Sequence, residues 1–334
     1  MPQQRMNDMK VLVTGGTGFI GSHLVEALLQ RGTEVRCLVR KTSDLTWLTT
    51  LPITYVYGDC TDRTSLSGAV KGIDQVFHLA GVTKAASEQA YFDVNAYGTQ
   101  NLVHACLESH PHPDRFIYLS SQAAAGPSRN GCKRTESDEC EPVSPYGRSK
   151  RMGEELALAH GDELPMVILR PPVVYGPREK DLFVYVRLIA KRIQPFLTGQ
   201  ERRFNLCYVG DVIHALLLAS DLEHPQGDIF FLSDGNDYLL KEIGDVFAQA
   251  LNVSPFSIPL PRWALYGVAT FSEFLSKFSR TPPLISKGKV DEMVQRNWVC
   301  DITRARSTLC FEPRVKLPEG AQLTVDWYRK ARWL

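Results

Sequence analysis

The sequence predicts an α/β protein: a doubly wound parallel sheet followed by a smaller C-terminal part that covers the substrate. Three observations carry that prediction. A strand runs straight into a glycine-rich turn near the start, strand-like and helix-like runs alternate to about residue 170, and the alternation then gives way to proline-rich turns and mixed elements. With 334 residues, 44% of them hydrophobic, the chain can bury a full core. We divide it into a polar tail at 1–9, a nucleotide-binding domain at 10–170, and a substrate-binding part at 171–334 with some segments returning to the first domain.

The first strand is Lys10–Thr14, an apolar β-branched run, and the first helix is Phe19–Gln30, with Phe19, Ile20, Leu24, Ala27 and Leu28 at helical spacing. Between them Gly15, Gly18 and Gly21 stand at G-x-x-G-x-x-G. A pyrophosphate can approach backbone only where no Cβ intrudes, and unpaired N–H groups at a helix start stabilise it. The turn therefore predicts a dinucleotide held by Gly15, Thr17, Gly18, Phe19, Ile20 and Gly21.

Further strands are expected at Glu34–Val39, Ile53–Tyr57, Gln75–Leu79, Arg115–Leu119 and Met166–Leu169, with helices at Ser65–Val70, Tyr91–Ser109 and Tyr146–His160. Beyond Arg170, helical stretches are expected near Lys241–Leu251, Ser286–Gln295 and Pro318–Lys330. His78, at the end of a buried strand, is expected to pack in the core.

The end of the second strand selects the cofactor. An acidic residue there would bind the adenine ribose hydroxyls of NAD and repel a 2′-phosphate, whereas this chain has Val39-Arg40-Lys41. Arg40 offers a planar fork and Lys41 a second charge, which predicts NADP(H) over NAD(H).

Catalytic chemistry is expected at Tyr146 and Lys150. Ser144 is a plausible N-cap and Pro145 suits the first turn, so Tyr146 and Lys150 fall at i and i+4 on one helical face. An ammonium beside a phenol lowers the phenol pKa, and such a tyrosine exchanges a proton with a substrate oxygen. Ser120 and Ser121 end a strand, where hydroxyls point into the ligand crevice of such sheets.

Composition excludes other classes. A formal charge of +1 leaves no basic footprint for nucleic acid. The eight cysteines show no metal-type spacing and read as reduced thiols; Cys132 and Cys140 share a loop near the expected site, and no metal is expected. The first nine residues lack the apolar stretch of a signal peptide and no apolar run reaches membrane length, which predicts a soluble cytoplasmic protein. Residues Leu260–Leu275 are the most amphiphilic; they could graze a membrane, but a helix covering a substrate pocket is the preferred reading.

Taken together, these residues resemble the extended short-chain dehydrogenase/reductases, which include nucleotide-sugar epimerases, dihydroflavonol reductases and 3β-hydroxysteroid dehydrogenases. The resemblance covers nearly the whole chain, through Gly58-Asp59, His78-Leu79-Ala80-Gly81, Asn95 in DVNAYGTQNL, YGRSK, LRPPVVYGP and Tyr208-Val209-Gly210-Asp211-Val212. It implies a Rossmann-type fold and a catalytic set of Ser121 (or Ser120), Tyr146 and Lys150, Ser121 being favoured by its epimerase-like interval to Tyr146. It also implies that Asp59 and Cys60 lie at the adenine, that Leu79, Ala80, Gly81, Asn95, Pro171 and Val173 contact the cofactor, and that Lys150 holds the nicotinamide ribose. Thr83, Ser120, Gln122 and Arg178 are the implied substrate contacts, with Lys180 a further candidate for an anionic group. Family members often dimerise through two long helices, here Tyr91–Ser109 and Tyr146–His160, so a homodimer is expected.

Departures from the family pattern narrow the reaction. Sugar dehydratases carry an Asp-Glu pair after the catalytic threonine, but here Gln122 and Ala123 follow the serine and cannot act as acid and base. Val173 stands near the position where nucleotide-sugar enzymes commonly place an asparagine, and Ala124-Ala125-Gly126 replaces the usual V-Y-G, opening space beside the nicotinamide. The expectation is an NADP(H)-dependent oxidoreductase that interconverts a secondary alcohol and a ketone on a fairly apolar small molecule. A nucleotide-sugar 4-epimerase with the same Ser/Tyr/Lys machinery is the alternative, and a non-catalytic dinucleotide-binding subunit the second.

Overall fold

A computed structural model describes residues 9–129, 131–279, 282–283 and 285–334. Of the tail expected at 1–9, only Met9 lies within the described residues. Strand β1 (Lys10–Thr14), helix α1 (Phe19–Gln30), β2 (Glu34–Val39) and β3 (Thr54–Tyr57) are followed by the short α2 (Ser67–Val70) and β4 (Gln75–His78). Helices α3 (Glu88–Phe92) and α4 (Gly98–Glu108) precede β5 (Arg115–Leu119), and α5 (Gln122–Ala125), α6 (Pro145–Leu158) and β6 (Met166–Arg170) follow it.

The next segment contains β7 (Val173–Tyr175), α7 (Asp181–Ala190), β8 (Ile193–Leu197), β9 (Arg203–Phe204), β10 (Leu206–Tyr208), α8 (Val209–Asp221) and β11 (Asp228–Phe231). The last contains β12 (Tyr238–Leu239), α9 (Leu240–Leu251), β13 (Phe256–Leu260), α10 (Arg262–Ser279), α11 (Lys287–Met293), β14 (Asn297–Trp298), α12 (Thr303–Leu309) and α13 (Leu317–Lys330).

Seven strands form one sheet in the order β11-β6-β5-β4-β1-β2-β3, every pairing parallel. Strand order reverses between β1 and β4, so a crevice opens at their carboxyl ends. Alternate residues of β1 face opposite layers. Val11 and Val13 pack with Leu24, Val25 and Leu28 of α1 and with Val212 and Leu216 of α8. Leu12 packs instead with Ala69, Leu102 and Ala157 of α2, α4 and α6. Burying both faces is why these strands read as continuous apolar runs rather than alternating ones.

The long helix expected at Tyr91–Ser109 is interrupted. Residues Asp93–Tyr97 form a π-helical turn between α3 and α4. The Asn95 carbonyl accepts from Thr99 Oγ1 at 2.8 Å and from Tyr118 Oη at 3.3 Å, side-chain partners that brace this turn. Likewise Ser65–Val70 divides into a 3-10 turn at Arg63–Ser65, capped by Asp62, and α2.

Beyond β6 a second core gathers Tyr175, Val186, Ile243, Phe247, Val325 and Tyr328 from β7, α7, α9 and α13. Helix α10 covers the expected amphiphilic stretch and packs Leu265 and Ala269 on Val290 of α11, in a smaller cluster.

Candidate active site

The turn after β1 is built for close approach. Gly15 has φ +71°, a left-handed conformation that glycine adopts without strain, and a Cβ there would meet the Leu79 carbonyl at 2.6 Å. A Cβ at Gly21 would meet the Gly15 carbonyl at 2.1 Å. Helix α1 starts at Gly18 with no side-chain cap and no acidic residue in its first turn, so its positive end is left for a ligand. The turn fits a dinucleotide pyrophosphate. Thr17, Phe19 and Ile20 complete it, with Phe19 and Ile20 on the wall of the main cavity.

Around this turn the expected cofactor residues divide into two groups. Leu79, Gly81, Lys150, Pro171 and Val173 border the cavity. Asp59 Oδ1 caps Thr61 through its backbone N–H at 2.9 Å, Cys60 is packed in the core, and the Ala80 N–H is held by Thr14 Oγ1 at 3.1 Å. Arg40 and Lys41 are exposed beyond β2, and neither makes an ion pair among the described residues.

Asn95 differs from the expectation of a cofactor contact. It is fully buried, with Oδ1 accepting from the Val82 N–H and Nδ2 donating to the Val82 carbonyl and Ser149 Oγ, so its amide braces the loop after β4 against α6.

His78 lies in the core as expected. Thr99 Oγ1 gives its proton to the Asn95 carbonyl, so His78 Nε2–H donates to Thr99 Oγ1 at 2.9 Å and Nδ1 accepts from Thr14 Oγ1 at 2.7 Å. Burial drives its pKa down to about 3, with the Lys150 charge adding to the effect. This histidine is neutral and structural.

Helix α6, which carries Tyr146 and Lys150, starts as its sequence dictates. Ser144 Oγ caps the Gly147 N–H at 2.9 Å and Pro145 occupies the first turn. Tyr146, Ser121, Ser120 and Lys150 all border a cavity of about 920 Å³. Ser121 also caps α5, accepting from the Ala123 N–H at 3.1 Å. Ser120 Oγ and Gln122 Nε2 are buried without a partner, polar atoms ready for a ligand. Thr83 borders the same space, and its carbonyl accepts from Tyr91 Oη at 3.3 Å.

The expected effect of Lys150 on Tyr146 is not what the geometry gives. Lys150 Nζ donates to the Leu119 carbonyl at 2.8 Å and sits 4.2 Å from the Tyr118 ring centre. Burial pushes the Tyr146 phenol up to about 12, with the Ser121 hydroxyl opposing the rise. Burial also pulls Lys150 down to about 7, opposed by the carboxylate of Glu154. Desolvation outweighs the pairwise attraction that the i, i+4 spacing suggests.

Arg178 is corrected as well. Its guanidinium donates to Ser22 Oγ at 3.0 Å and Glu26 Oε1 at 2.6 Å and stacks over Trp47, clamping α1 to the loop after β7. Neither Arg178 nor Lys180 borders the cavity; their neighbours Glu179 and Asp181 do.

The helix expected near Ser286–Gln295 is α11, but its place beside Tyr146 was not expected from the sequence. Glu292 accepts from Ser144 Oγ, the residue that caps α6, and pairs with Lys289 Nζ at 2.9 Å; both border the cavity that Tyr146 also lines. Their only signal is an i, i+3 charge pair, which surface helices also carry. Among the described residues no group of His, Cys, Asp and Glu could hold a metal ion, and Cys132 and Cys140 are free thiols. Cys140 Sγ accepts from Arg170 Nη2 at 3.4 Å.

A model of the NAD dependent epimerase/dehydratase family matches residues 11–232. A ceramide reductase of Caulobacter vibrioides is 30% identical, the match covering 97% of this chain and 96% of that protein. A UDP-glucose 4-epimerase of Vibrio cholerae is 28% identical over 96% of each. Among solved structures, MoeE5 in complex with UDP-glucuronic acid and NAD superposes with a TM-score of 0.77 at 25% identity, covering 96% of this chain and 99% of that one.

Proposed function

The chain belongs to the NAD dependent epimerase/dehydratase family and is an NAD(P)-dependent enzyme of the extended short-chain dehydrogenase/reductase type, and on that premise we propose that it interconverts a secondary alcohol and a ketone on a fairly apolar small molecule, using NADP(H). The observation that carries this reading is the wall around Tyr146. Ala123, Val143, Val173, Val174, Leu182, Phe204, Met293 and Trp298 face the cavity with the serine–tyrosine pair, and the residues after Ser121 are Gln122 and Ala123, which offer no acid and base for elimination. The similarity to a ceramide reductase supports the same substrate class.

When bound, the dinucleotide supplies or receives the hydride at the carbonyl carbon. In reduction, Tyr146 Oη gives its proton to the carbonyl oxygen; in oxidation it takes the proton from the hydroxyl. A phenol pushed up to about 12 holds that proton at neutral pH, which suits the reductive direction. Ser121 Oγ fixes the substrate oxygen. Lys150 would orient the nicotinamide ribose through its ammonium, which is now held by the Leu119 carbonyl.

Support for NADP(H) is the exposed pair Arg40 and Lys41 where an acidic residue would otherwise receive the ribose. A homodimer packed through the α4 and α6 faces belongs to the same reading, as does a soluble location. Among the described residues no helix is long and apolar enough to cross a membrane.

A nucleotide-sugar epimerase is the second reading. Arg148, Lys287 and Lys289 border the cavity, cations now paired with Glu88, Glu273 and Glu292 that a diphosphate would draw on, and the UDP-glucose 4-epimerase relative carries that activity. Incubation with NADPH and a panel of apolar ketones, followed at the nicotinamide absorbance, separates the two. Net NADPH oxidation supports the reductase. Isomerised UDP-sugar with no net absorbance change overturns it.

A further inference from the structure

We propose that the outward face of α10, continued by β13, docks on an anionic lipid surface and sets the mouth of the active-site cavity against it. Eight of the fifteen large apolar side chains exposed among the described residues belong to this one segment: Phe256, Ile258, Trp263, Val268, Phe271, Phe274, Leu275 and Phe278. Trp263, Phe271, Phe274 and Phe278 recur at helical spacing along one stripe, and Trp263 and Phe278 are 76% and 75% exposed. The opposite side of the helix is already used, with Leu265 and Ala269 packed on Val290. So large a contiguous apolar surface marks an interaction site.

The charges around the stripe choose the occupant. Within residues 256–287 the only acidic side chain is Glu273, and its carboxylate is engaged by Lys287, accepting from the backbone N–H at 2.7 Å and pairing with Nζ at 3.9 Å at the border of the cavity. Asp291 of the neighbouring helix is spent on Tyr266 Oη at 2.7 Å. Exposed cations flank the apolar face instead. Arg262 starts α10, and Lys191 and Arg192 precede Ile193, which pairs with Phe256 across the β8–β13 ladder. Aromatic side chains on one face with basic residues at its border are the chemistry of an interfacial helix on anionic headgroups. A two-fold copy of the same surface would set these cations against their own equivalents, without counter-charge.

Position links docking to catalysis. Glu273 and Ser276 of α10 and Pro283 and Lys287 beyond it border the cavity that ends at Tyr146. A bilayer-dissolved alcohol or ketone thus enters beside the docked helix without crossing bulk water; this link rests on the apolar-substrate reading above, whereas docking itself does not.

Co-sedimentation of the full chain with phosphatidylcholine vesicles, with and without phosphatidylglycerol, tests the proposal, with circular dichroism and dinucleotide binding as checks of the fold. We expect sedimentation with phosphatidylglycerol vesicles that weakens as salt rises. The double variant F271S/F274S should bind roughly a hundredfold more weakly, since each buried phenyl group contributes about tenfold. The variant R192E/R262E should lose the preference for phosphatidylglycerol. Protein that stays in the supernatant with both vesicle types overturns the proposal. So does a solution dimer that F271S/F274S converts to monomer while vesicle binding is absent, because a second copy then covers the face. Vesicle binding without turnover of any apolar ketone would overturn the substrate reading and leave the docking surface standing.

Discussion

Glu154 and Arg170 form a bidentate ion pair inside the protein: Nε to Oε1 at 2.9 Å and Nη2 to Oε2 at 2.6 Å, with both side chains sealed from solvent. The pair joins helix α6 to the end of β6, one turn after Lys150. The Glu154 carboxylate also opposes the desolvation that strips charge from Lys150. Removing one partner leaves the other charge buried alone. Glu154→Gln should therefore destabilise the protein by about 3–5 kcal/mol, measured as a lower urea midpoint. The double variant E154Q/R170M should recover much of that loss, because no uncompensated charge remains. Equal stability of Glu154→Gln and wild type would show that the pair contributes nothing net.

Tyr146→Phe removes the proposed proton donor while keeping the ring. Turnover should fall by about 10²–10⁴-fold with dinucleotide affinity nearly unchanged. Ser121→Ala should lower kcat by about 10²-fold through loss of the hydroxyl that fixes the substrate oxygen. Stopped-flow measurement of hydride transfer checks both, and full turnover by Tyr146→Phe would refute the assigned proton donor.

How far these assignments were readable varies with how local their cause is. The glycine turn and the Ser144 cap are set by a few adjacent residues, so Gly15, Gly21 and the start of α6 stand where spacing puts them. The doubly wound parallel sheet followed from the alternating beat. Three features escaped because their causes are distant in sequence. The π-turn at Asn95 depends on Thr99 and Tyr118, the salt-bridged state of Arg178 on Glu26, and the approach of Glu292 to Ser144 on a segment far along the chain. The phenol pKa is a fourth: spacing exposes the nearby cation but not the desolvation that overrides it.

The NADP(H) proposal rests on Arg40 and Lys41. With a 2′-phosphate bound by Arg40, Arg40→Ala should raise KM for NADPH about tenfold, the value of one charge-assisted contact near the surface, and leave KM for NADH within about twofold. Steady-state titration of each cofactor measures this. Lower KM for NADH than for NADPH in the wild type, unaffected by the substitution, would reverse the assignment.

Burial of Lys150 makes stability depend on pH in a calculable direction. Its pKa is about 7 in the folded protein, against 10.5 for the free side chain. Between those values the unfolded chain carries a proton that the folded protein lacks, so unfolding takes up a proton and stability rises with pH. Lys150→Met removes that titration. The thermal midpoint of the ligand-free wild type should climb relative to Lys150→Met from about pH 7 upwards, over a scan kept below 10.0, where tyrosine ionisation in the unfolded chain begins to act the other way. Groups common to both proteins cancel in the difference. Parallel curves across this window would mean that Lys150 keeps its full charge when buried, held there by Glu154 and the Leu119 carbonyl.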